Sequence, residues 1–344
     1  MQFLVYLFEI KEYNPSMPKI AAPTPDIIAQ AAELIRGGDL VAFPTETVYG
    51  LGADATNGEA VAKIFAAKGR PSFNPLISHG ANLDMLMDEA AFDDRALALA
   101  DKFWPGPLTM ILPKKDGGQI SDLACAGLKT VALRVPNHPV ALDLIAKAGK
   151  PIAAPSANAS GTLSPTAPHH VADSLGDAVP LILAGGAAQY GLESTVVDLT
   201  GTDTVIVRAG ALTAEDVASC IDTPVTYELS ATDKPRSPGQ LLKHYAPNIS
   251  IRLRAVDVAP NEALLAFGSV KFMGVQGGGK ASDLPHDQIR NLSETGDLLE
   301  AAANLFAYIR QLDNPKFTGI AVMDIPNTGI GIAINDRLKR AAEK

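Results

Sequence analysis

The chain has 344 residues, long enough for two domains of ordinary size, and its 47% apolar and 19% charged residues exclude a mainly disordered protein. A net charge of −9 argues against a surface built to coat nucleic acid, because non-specific binding there relies on basic patches that neutralise phosphates. Cys125 and Cys220 lie far apart, at no metal-ligand or redox spacing, and read as free thiols in a reducing compartment.

The opening MQFLVYLFEI is apolar but too short to span a bilayer, and it lacks a basic leader and a cleavage site. A cytoplasmic chain without a membrane segment is therefore expected. MPKIAAPTPDIIAQ reads as a domain start, so residues 1–17 are expected to be an extension outside the fold. In TPDIIAQAAELIRGG, Thr24 can cap a helix, Pro25 suits its first position, and Asp26 suits the positive end of the dipole. Ile27, Ile28, Ala31, Leu34 and Ile35 form the apolar stripe, and Gly37 and Gly38 stop it. LVAF (40–43) reads as a buried strand and EAVAKIFAAK (59–68) as a second helix. Further helices are predicted near 93–103, 139–148, 168–175 and 213–221, and strands at 108–113, 130–135, 151–154, 181–184, 194–199 and 204–209. This mixture predicts an α/β fold with helices covering at least one sheet face. Residues 223–247 hold four prolines and few apolar residues, which reads as a linker. A smaller α/β pattern then resumes over 248–344, with strands at 263–268 and 318–323, a helix over 294–312 and a terminal helix in AINDRLKRAA.

Several motifs carry little chemistry. GVQGGGKA (274–281) approaches a phosphate-binding loop, but Ala281 stands where Mg²⁺ requires a hydroxyl and no helix pattern follows, so a turn is expected. His169 and His170 are adjacent and point to different sides of a helix, without a carboxylate or cysteine at ligand spacing. No Gly-x-Ser-x-Gly elbow marks a hydrolase.

Polar and cationic residues recur instead at the ends of predicted strands and helices. Thr47 lies in PTETVYGLG, Lys68, Arg70, Asn74 and His79 in KGRPSFNPLISH, Thr130 and Arg134 in TVALRVP, and Ser156, Asn158 and Thr166 in PSANASGTLSPT. Ser194 opens STVVDL and Arg208 closes TVIVRAG. Each has a plain explanation alone: Arg134 and Arg208 reaching solvent, Lys68 and Arg70 facing a helix terminus, His79 satisfied in a strand, Ser156 and Asn158 making turns. Together they can converge on one pocket, since ligands in layered α/β folds gather where strands end. Guanidinium groups there would give bidentate contacts to phosphate or carboxylate.

FPTETVYGLG (43–52), KGRPSFNPLISH (68–79), WPGPLT (104–109), TVALRVP (130–136), PSANASGTLSPT (155–166), LESTVVD (192–198) and IVRAG (206–210) occur in that order. The set resembles the threonylcarbamoyl-AMP synthase family, whose catalytic module is the YrdC-like domain. SPGQLLKHYAP (237–247) and GIGIAINDRLKRAA (329–342) resemble the linker and C-terminal domain of its longer members. The resemblance implies a YrdC-like twisted mixed sheet with flanking helices over 18–222, a linker or lid over 223–247, and a smaller Rossmann-like α/β domain over 248–344. It implies condensation of L-threonine, bicarbonate and ATP to threonylcarbamoyl-AMP and pyrophosphate. A separate threonylcarbamoyl transferase complex would then modify tRNA, so that contact of this chain with tRNA is indirect.

By the same resemblance, Thr47, His79, Arg134, Ser156 and Ser194 match threonine-contacting positions. Lys68, Arg70, Asn74, Thr130, Asn158, Thr166, Arg208 and one or both of His244 and Tyr245 match ATP-contacting ones, with Lys68 and Arg70 as the catalytic signature pair. No protein metal cage is expected, because Mg²⁺ would be held mainly by ATP phosphates and water. Joining two anions calls for positioning and charge stabilisation, which suits these residue types. The rival readings are a non-catalytic double-stranded RNA or tRNA-binding module, a hydrogenase-maturation carbamoyltransferase, whose cysteine-rich zinc motifs two isolated cysteines cannot supply, and a nucleotide-binding C-terminal half.

Overall fold

The computed structural model describes residues 19–230, 236, 238, 244–271 and 273–343. The expected extension over 1–17 lies outside the described residues, as does SPGQLLKHYAP apart from Pro238 and His244–Pro247.

The first domain runs β1 (Lys19–Ala21), α1 (Pro25–Arg36), β2 (Val41–Phe43), β3 (Gly50–Asp54), α2 (Gly58–Lys68), β4 (Ile77–His79), α3 (Asp94–Phe103), β5 (Leu108–Pro113) and β6 (Thr130–Arg134). It continues through α4 (Pro139–Ala148), β7 (Ile152–Ala153), α5 (Pro168–Leu175), β8 (Leu181–Leu183), β9 (Thr195–Asp198), β10 (Thr204–Arg208), α6 (Ala214–Ala218) and β11 (Val225–Tyr227). Its strands form one mixed sheet in the order β1-β8-β2-β3-β7-β4-β6-β5-β9-β10-β11.

The helices form where the sequence supplies caps and stripes. Thr24 Oγ1 accepts from the Ile27 amide at 3.3 Å, and the buried face of α1 is Ile28, Ala31, Ala32 and Ile35. That face packs with Ala141, Leu144 and Ile145 of α4 over Val41 and Phe43. Successive strand residues point to opposite faces, so Ala42 joins a second core with Val61 and Ile64 of α2, Leu99 of α3, Met110, Leu133 and Val197.

Toward the far end of the sheet a small apolar cluster, Ile77, Ile111, Ala132, Val196 and Val207, lines the face opposite that second core. Alternation places His79 with Ile77, Arg134 with Ala132, and Thr109 with Ile111 on this same face. A β-bulge does the same for Arg208. Ile206 pairs with Val197, but the next partner of Val196 is Arg208 rather than Val207, so two residues of β10 oppose one of β9. The extra residue turns Arg208 to the side of Val196 and away from the helix-covered core.

The second domain contains β12 (Ser250–Arg252), β13 (Asp257–Val258), β14 (Glu262–Ala266), β15 (Gly274–Val275), β16 (Ile289–Asn291), α7 (Leu298–Leu312), β17 (Gly319–Val322) and α8 (Gly331–Ala342). A parallel sheet in the order β12-β17-β14-β16 carries α7 and α8, while β13 and β15 pair separately. Helix α7 begins at 298, four residues later than the pattern predicts, because Asp297 caps it by accepting from the amides of Leu299 and Glu300. GVQGGGKA is a turn: Gly277, Gly278 and Gly279 have φ of 91°, 111° and 110°, and only a 3₁₀ turn at Ala281–Asp283 follows.

Two features depart from the sequence expectation. GLGAD, absent from the strands expected, is strand β3: a Cβ on Gly52 would lie 2.7 Å from the Phe43 ring, and only glycine lets β2 and β3 pair this closely. The segment expected to be linker opens with β11, which extends the first sheet beside β10. The domains also share a core, in which Leu163, Leu192, Ala209 and Tyr245 pack with Leu305, Phe306, Ile334 and Leu338 of α7 and α8. Among the described residues no helix is long and apolar enough to cross a membrane.

Gly210 follows the bulge, and a Cβ there would lie 2.4 Å from the Thr195 amide and 2.5 Å from the Glu193 carbonyl, both backbone atoms. Gly210→Ala should destabilise the chain by about 2–3 kcal/mol in urea titration, since rigid backbone cannot yield as side chains do. Gly201→Ala, whose added carbon meets nothing closer than 4.0 Å, should stay within about 1 kcal/mol of the wild type. Equal stabilities for the two variants would contradict this packing.

Candidate functional site

A cavity of about 40 Å³ opens on the sheet face that carries Ile77, His79 and Arg134. Thr47 and Val48 reach it from the β2–β3 loop, Arg70 from the end of α2, Ala154–Ser156 from the end of β7, and Glu193 and Arg208 from either side of β9–β10. Pro238, His244 and Tyr245 of the interdomain segment close it. The site thus lies against a sheet face as well as at strand ends. The strands are short, so alternate side chains and the loops that follow converge within a few residues. A larger cavity of about 830 Å³ is lined by Leu253, Met323, Ile332 and Lys339 of the second domain together with Tyr227 and Leu229, and it contains none of the expected site residues.

Four cations converge here, and all are buried. Lys68 Nζ donates to the carbonyls of Ser156, at 2.6 Å, and Asn158. Arg70 donates through Nε to Asn74 O at 3.3 Å and through Nη2 to Pro75 O at 3.0 Å. Arg134 donates through Nε to Gly106 O and through Nη2 to Thr47 Oγ1, at 3.2 and 3.0 Å. Glu46 Oε1 lies 2.7 Å from Arg134 Nη2, an ion pair in which neither carboxylate oxygen gains a well-aligned hydrogen bond. Arg208 donates through Nε to Ser194 O, through Nη2 to Ser194 Oγ, and through Nη1 to Pro238 O. Ser194 Oγ also meets Thr109 Oγ1 at 2.7 Å. Arg134 is thus paired with Glu46, whereas Lys68, Arg70 and Arg208 are held by carbonyl and hydroxyl dipoles, which orient a charge without cancelling it.

The charges shift as burial requires. Lys68 is pushed well below its ordinary value by burial and then by Arg70. Burial, with neighbouring guanidinium groups, lowers Arg70 to about 9 and Arg208 to about 10, so both remain cationic at neutral pH. His79 falls to about 3 through burial and the charge of Arg134, and His244 to about 3 through burial, so both imidazoles are neutral. Burial raises Tyr245 to about 12.

Buried polar atoms without hydrogen-bond partners gather in the same place. Asn74 Oδ1, His79 Nδ1, Asn158 Oδ1 and His244 Nδ1 are all unpartnered. Such atoms are costly in a finished core. Of these, His79 Nδ1 and His244 Nδ1 belong to residues of the cavity wall.

The structure brings Thr47, His79, Arg134, Ser156, Arg70, Arg208, His244 and Tyr245 to the cavity wall. Lys68, Asn158 and Ser194 stand directly behind it through the hydrogen bonds above. Asn74 lies four residues beyond Arg70, which its carbonyl anchors. Thr166 is farther back, its amide donating to His170 Nδ1 at 3.2 Å. Thr130 opens β6, four residues before Arg134 and opposite Pro113, at the other end of that strand. Glu46 and Glu193 also belong to the site, beyond the residues expected from the sequence, and Arg337 lies behind Glu193 from α8. The only sequence signal for the two glutamates was an acidic side chain inside an otherwise neutral or cationic motif.

Residues 33–210 match the Sua5/YciO/YrdC family model, described as telomere recombination, and residues 212–343 match the threonylcarbamoyl-AMP synthase C-terminal domain. Threonylcarbamoyl-AMP synthase of Bacillus subtilis is 41% identical over 324 residues, covering 92% of this chain and 92% of its own. That of Pyrococcus abyssi is 41% identical over 323 residues, covering 91% and 93%. P. abyssi Sua5 solved with L-threonine has a TM-score of 0.81 at 36% identity, covering 92% of this chain and 94% of that one. A form of that protein with an adjacent histidine and tyrosine both changed to alanine also has a TM-score of 0.81 at 36% identity, over 95% and 96%. Spanned almost end to end by the two family models, the chain belongs to the threonylcarbamoyl-AMP synthase family.

Proposed function

We propose that the chain is an ATP-dependent nucleotidyltransferase, condensing L-threonine, bicarbonate and ATP to threonylcarbamoyl-AMP and pyrophosphate. The observation that carries this reading is a single cavity wall holding Arg70, Arg134 and Arg208, with Lys68 close behind, beside the neutral His79. Two anions must meet in this reaction, and each needs its own cation. Arg134 spends Nε and Nη2 on Gly106, Thr47 and Glu46, while Nη1 makes no hydrogen bond among the described residues and suits the threonine carboxylate. Neutral His79 and Ser156 suit the amine and hydroxyl of threonine. Arg70 and Arg208 suit the triphosphate, and His244 and Tyr245 suit the nucleoside.

The neutral threonine amine adds to the carbon of carbon dioxide, releasing a proton, or to that of bicarbonate, releasing water; either way a carbamate forms. An oxygen of the resulting carbamate attacks the α-phosphorus of ATP. The new C–O–P bond forms as the bond from the α-phosphorus to the pyrophosphate oxygen breaks. The cations act by holding two negative groups in line and by stabilising the crowded phosphorus. Among the described residues no group of three or more His, Cys, Asp or Glu could hold a metal, and both oxygens of Glu193 are engaged by Ser164 and Arg337. In this reading Mg²⁺ enters as part of the MgATP substrate, held by its phosphates and water. Pro238, His244 and Tyr245 of the interdomain segment border the cavity on the side where the nucleotide is proposed to lie. The product, a reactive mixed anhydride, passes to a transferase acting on tRNA. Duplex RNA binding by these cations is disfavoured, because Lys68, Arg70, Arg134 and Arg208 are only 3–7% exposed.

Pyrophosphate release from ATP should require both L-threonine and bicarbonate; consumption of ATP without threonine would overturn the assignment. Arg134→Ala should raise KM for threonine about 10- to 100-fold and change KM for ATP far less, with the reverse for Arg208→Ala, as expected for loss of one charged hydrogen-bond partner. Equal effects on both substrates would contradict two subsites. A further check uses pH. His79 titrates near 6.5 when unfolded and near 3 when folded, so below pH 6.5 the unfolded chain takes up a proton that the folded chain refuses. Stability should therefore fall with decreasing pH. His79→Gln should remove up to about 1.4 kcal/mol per pH unit of that slope between pH 6 and 4.5, measured by urea titration. An unchanged slope would mean that His79 is charged in the native state.

A further inference from the structure

Glu193 is the carboxylate in the wall of a cavity otherwise lined by cations and neutral groups. One of its oxygens accepts from Ser164 Oγ at 2.5 Å. The other accepts at 3.0 Å from Nε of Arg337, which lies 144 residues along the chain on α8 of the second domain. Both side chains are buried, Arg337 to 1% and Glu193 to 8% exposure. Arg337 also donates through Nη1 to Asp336 and places its guanidinium carbon 5.3 Å from the Tyr245 ring centroid, while Nη2 has no hydrogen-bond partner. Tyr245 in turn stacks on Phe306 of α7 at 5.3 Å and holds a φ of 62°.

A buried ion pair is a poor way to gain stability, since apolar residues of similar volume serve as well or better. Phe306, Ile334 and Leu338 already supply such packing around it. The location of the pair is more telling. Without Arg337, a carboxylate would face the space where the reading above places a carbamate and a triphosphate, and like charges at low dielectric repel strongly.

We propose that Arg337 is a positioning residue for the catalytic site: it holds and neutralises Glu193, so that the second domain completes the anion-binding wall of the first. The proposal rests on the synthase reading and extends it, giving the C-terminal domain a direct part in substrate binding. Arg337 does not touch substrate; it acts through Glu193 and through the face of Tyr245.

The test is MgATP binding by calorimetry to the full chain, the Arg337→Met variant and the Arg337→Met/Glu193→Gln double variant, with circular dichroism to verify folding. Arg337→Met should weaken MgATP binding about 30-fold, and removing the stranded carboxylate in the double variant should restore it to within about threefold of the wild type. A merely structural arginine would lower the stability of Arg337→Met but leave the affinity of its folded fraction unchanged. Wild-type affinity in folded Arg337→Met, or a folded double variant as weak as the single, would overturn the proposal. If Arg337→Met alone fails to fold, the affinity of the double variant decides. If neither folds, the pair is a folding element and the proposal fails. A wild-type chain that does not bind MgATP would instead overturn the synthase reading, and the proposal with it.

Discussion

Four cations are buried on one side of a single sheet, and they outnumber the carboxylates beside them. Lys68, Arg70, Arg134 and Arg208 are anchored by backbone carbonyls and by one hydroxyl each from Thr47 and Ser194. Carbonyl dipoles orient a guanidinium group but do not discharge it, so a buried excess of positive charge persists until an anion arrives. His79 and His244 stay neutral chiefly because they are buried, and the nearby cations add to that effect.

The fold is arranged to hold that excess. Helices cover one face of the sheet at its centre, leaving His79, Arg134 and Ser194 on the other. The bulge in β10 turns Arg208 to that face, and Gly210 lets the next segment pass against Thr195 and Glu193. Gly191, at φ 66°, lets α7 approach so closely that a Cβ would meet the Ala303 carbonyl at 2.5 Å. The second domain is thereby seated directly behind the site, where α8 delivers Arg337 to Glu193. Sheet irregularity, glycine placement and domain docking all converge on one charge arrangement.

Most helices and longer strands were legible in the sequence, because caps and 3.6-residue stripes such as Thr24 with Ile28–Ile35 are local signals. The short strands β3 and β4 were harder to read, whereas β7 lies within the strand expected at 151–154. Gly50–Asp54 has poor intrinsic strand preference and is a strand only because Phe43 and Ile152 pack over Gly52. Local motifs named Arg70, Arg134 and Arg208 and the residues around them, but not their arrangement on a sheet face, which depends on register and on one bulge. Glu193 and Arg337 were the least legible. Each looks like an ordinary surface charge, and 144 residues separate the two halves of the pair.

The central claim is that this cavity grips anions, with the rest of the ligand secondary. It is tested most directly by the thermal unfolding midpoint of the full chain with inorganic pyrophosphate, compared with the same concentration of adenosine. A ligand that binds only the folded state raises the midpoint by an amount that grows with the logarithm of its concentration over its Kd. The account predicts that pyrophosphate raises it by several degrees and that added salt erodes the gain, with adenosine producing a much smaller shift. A large shift with adenosine and none with pyrophosphate would contradict it.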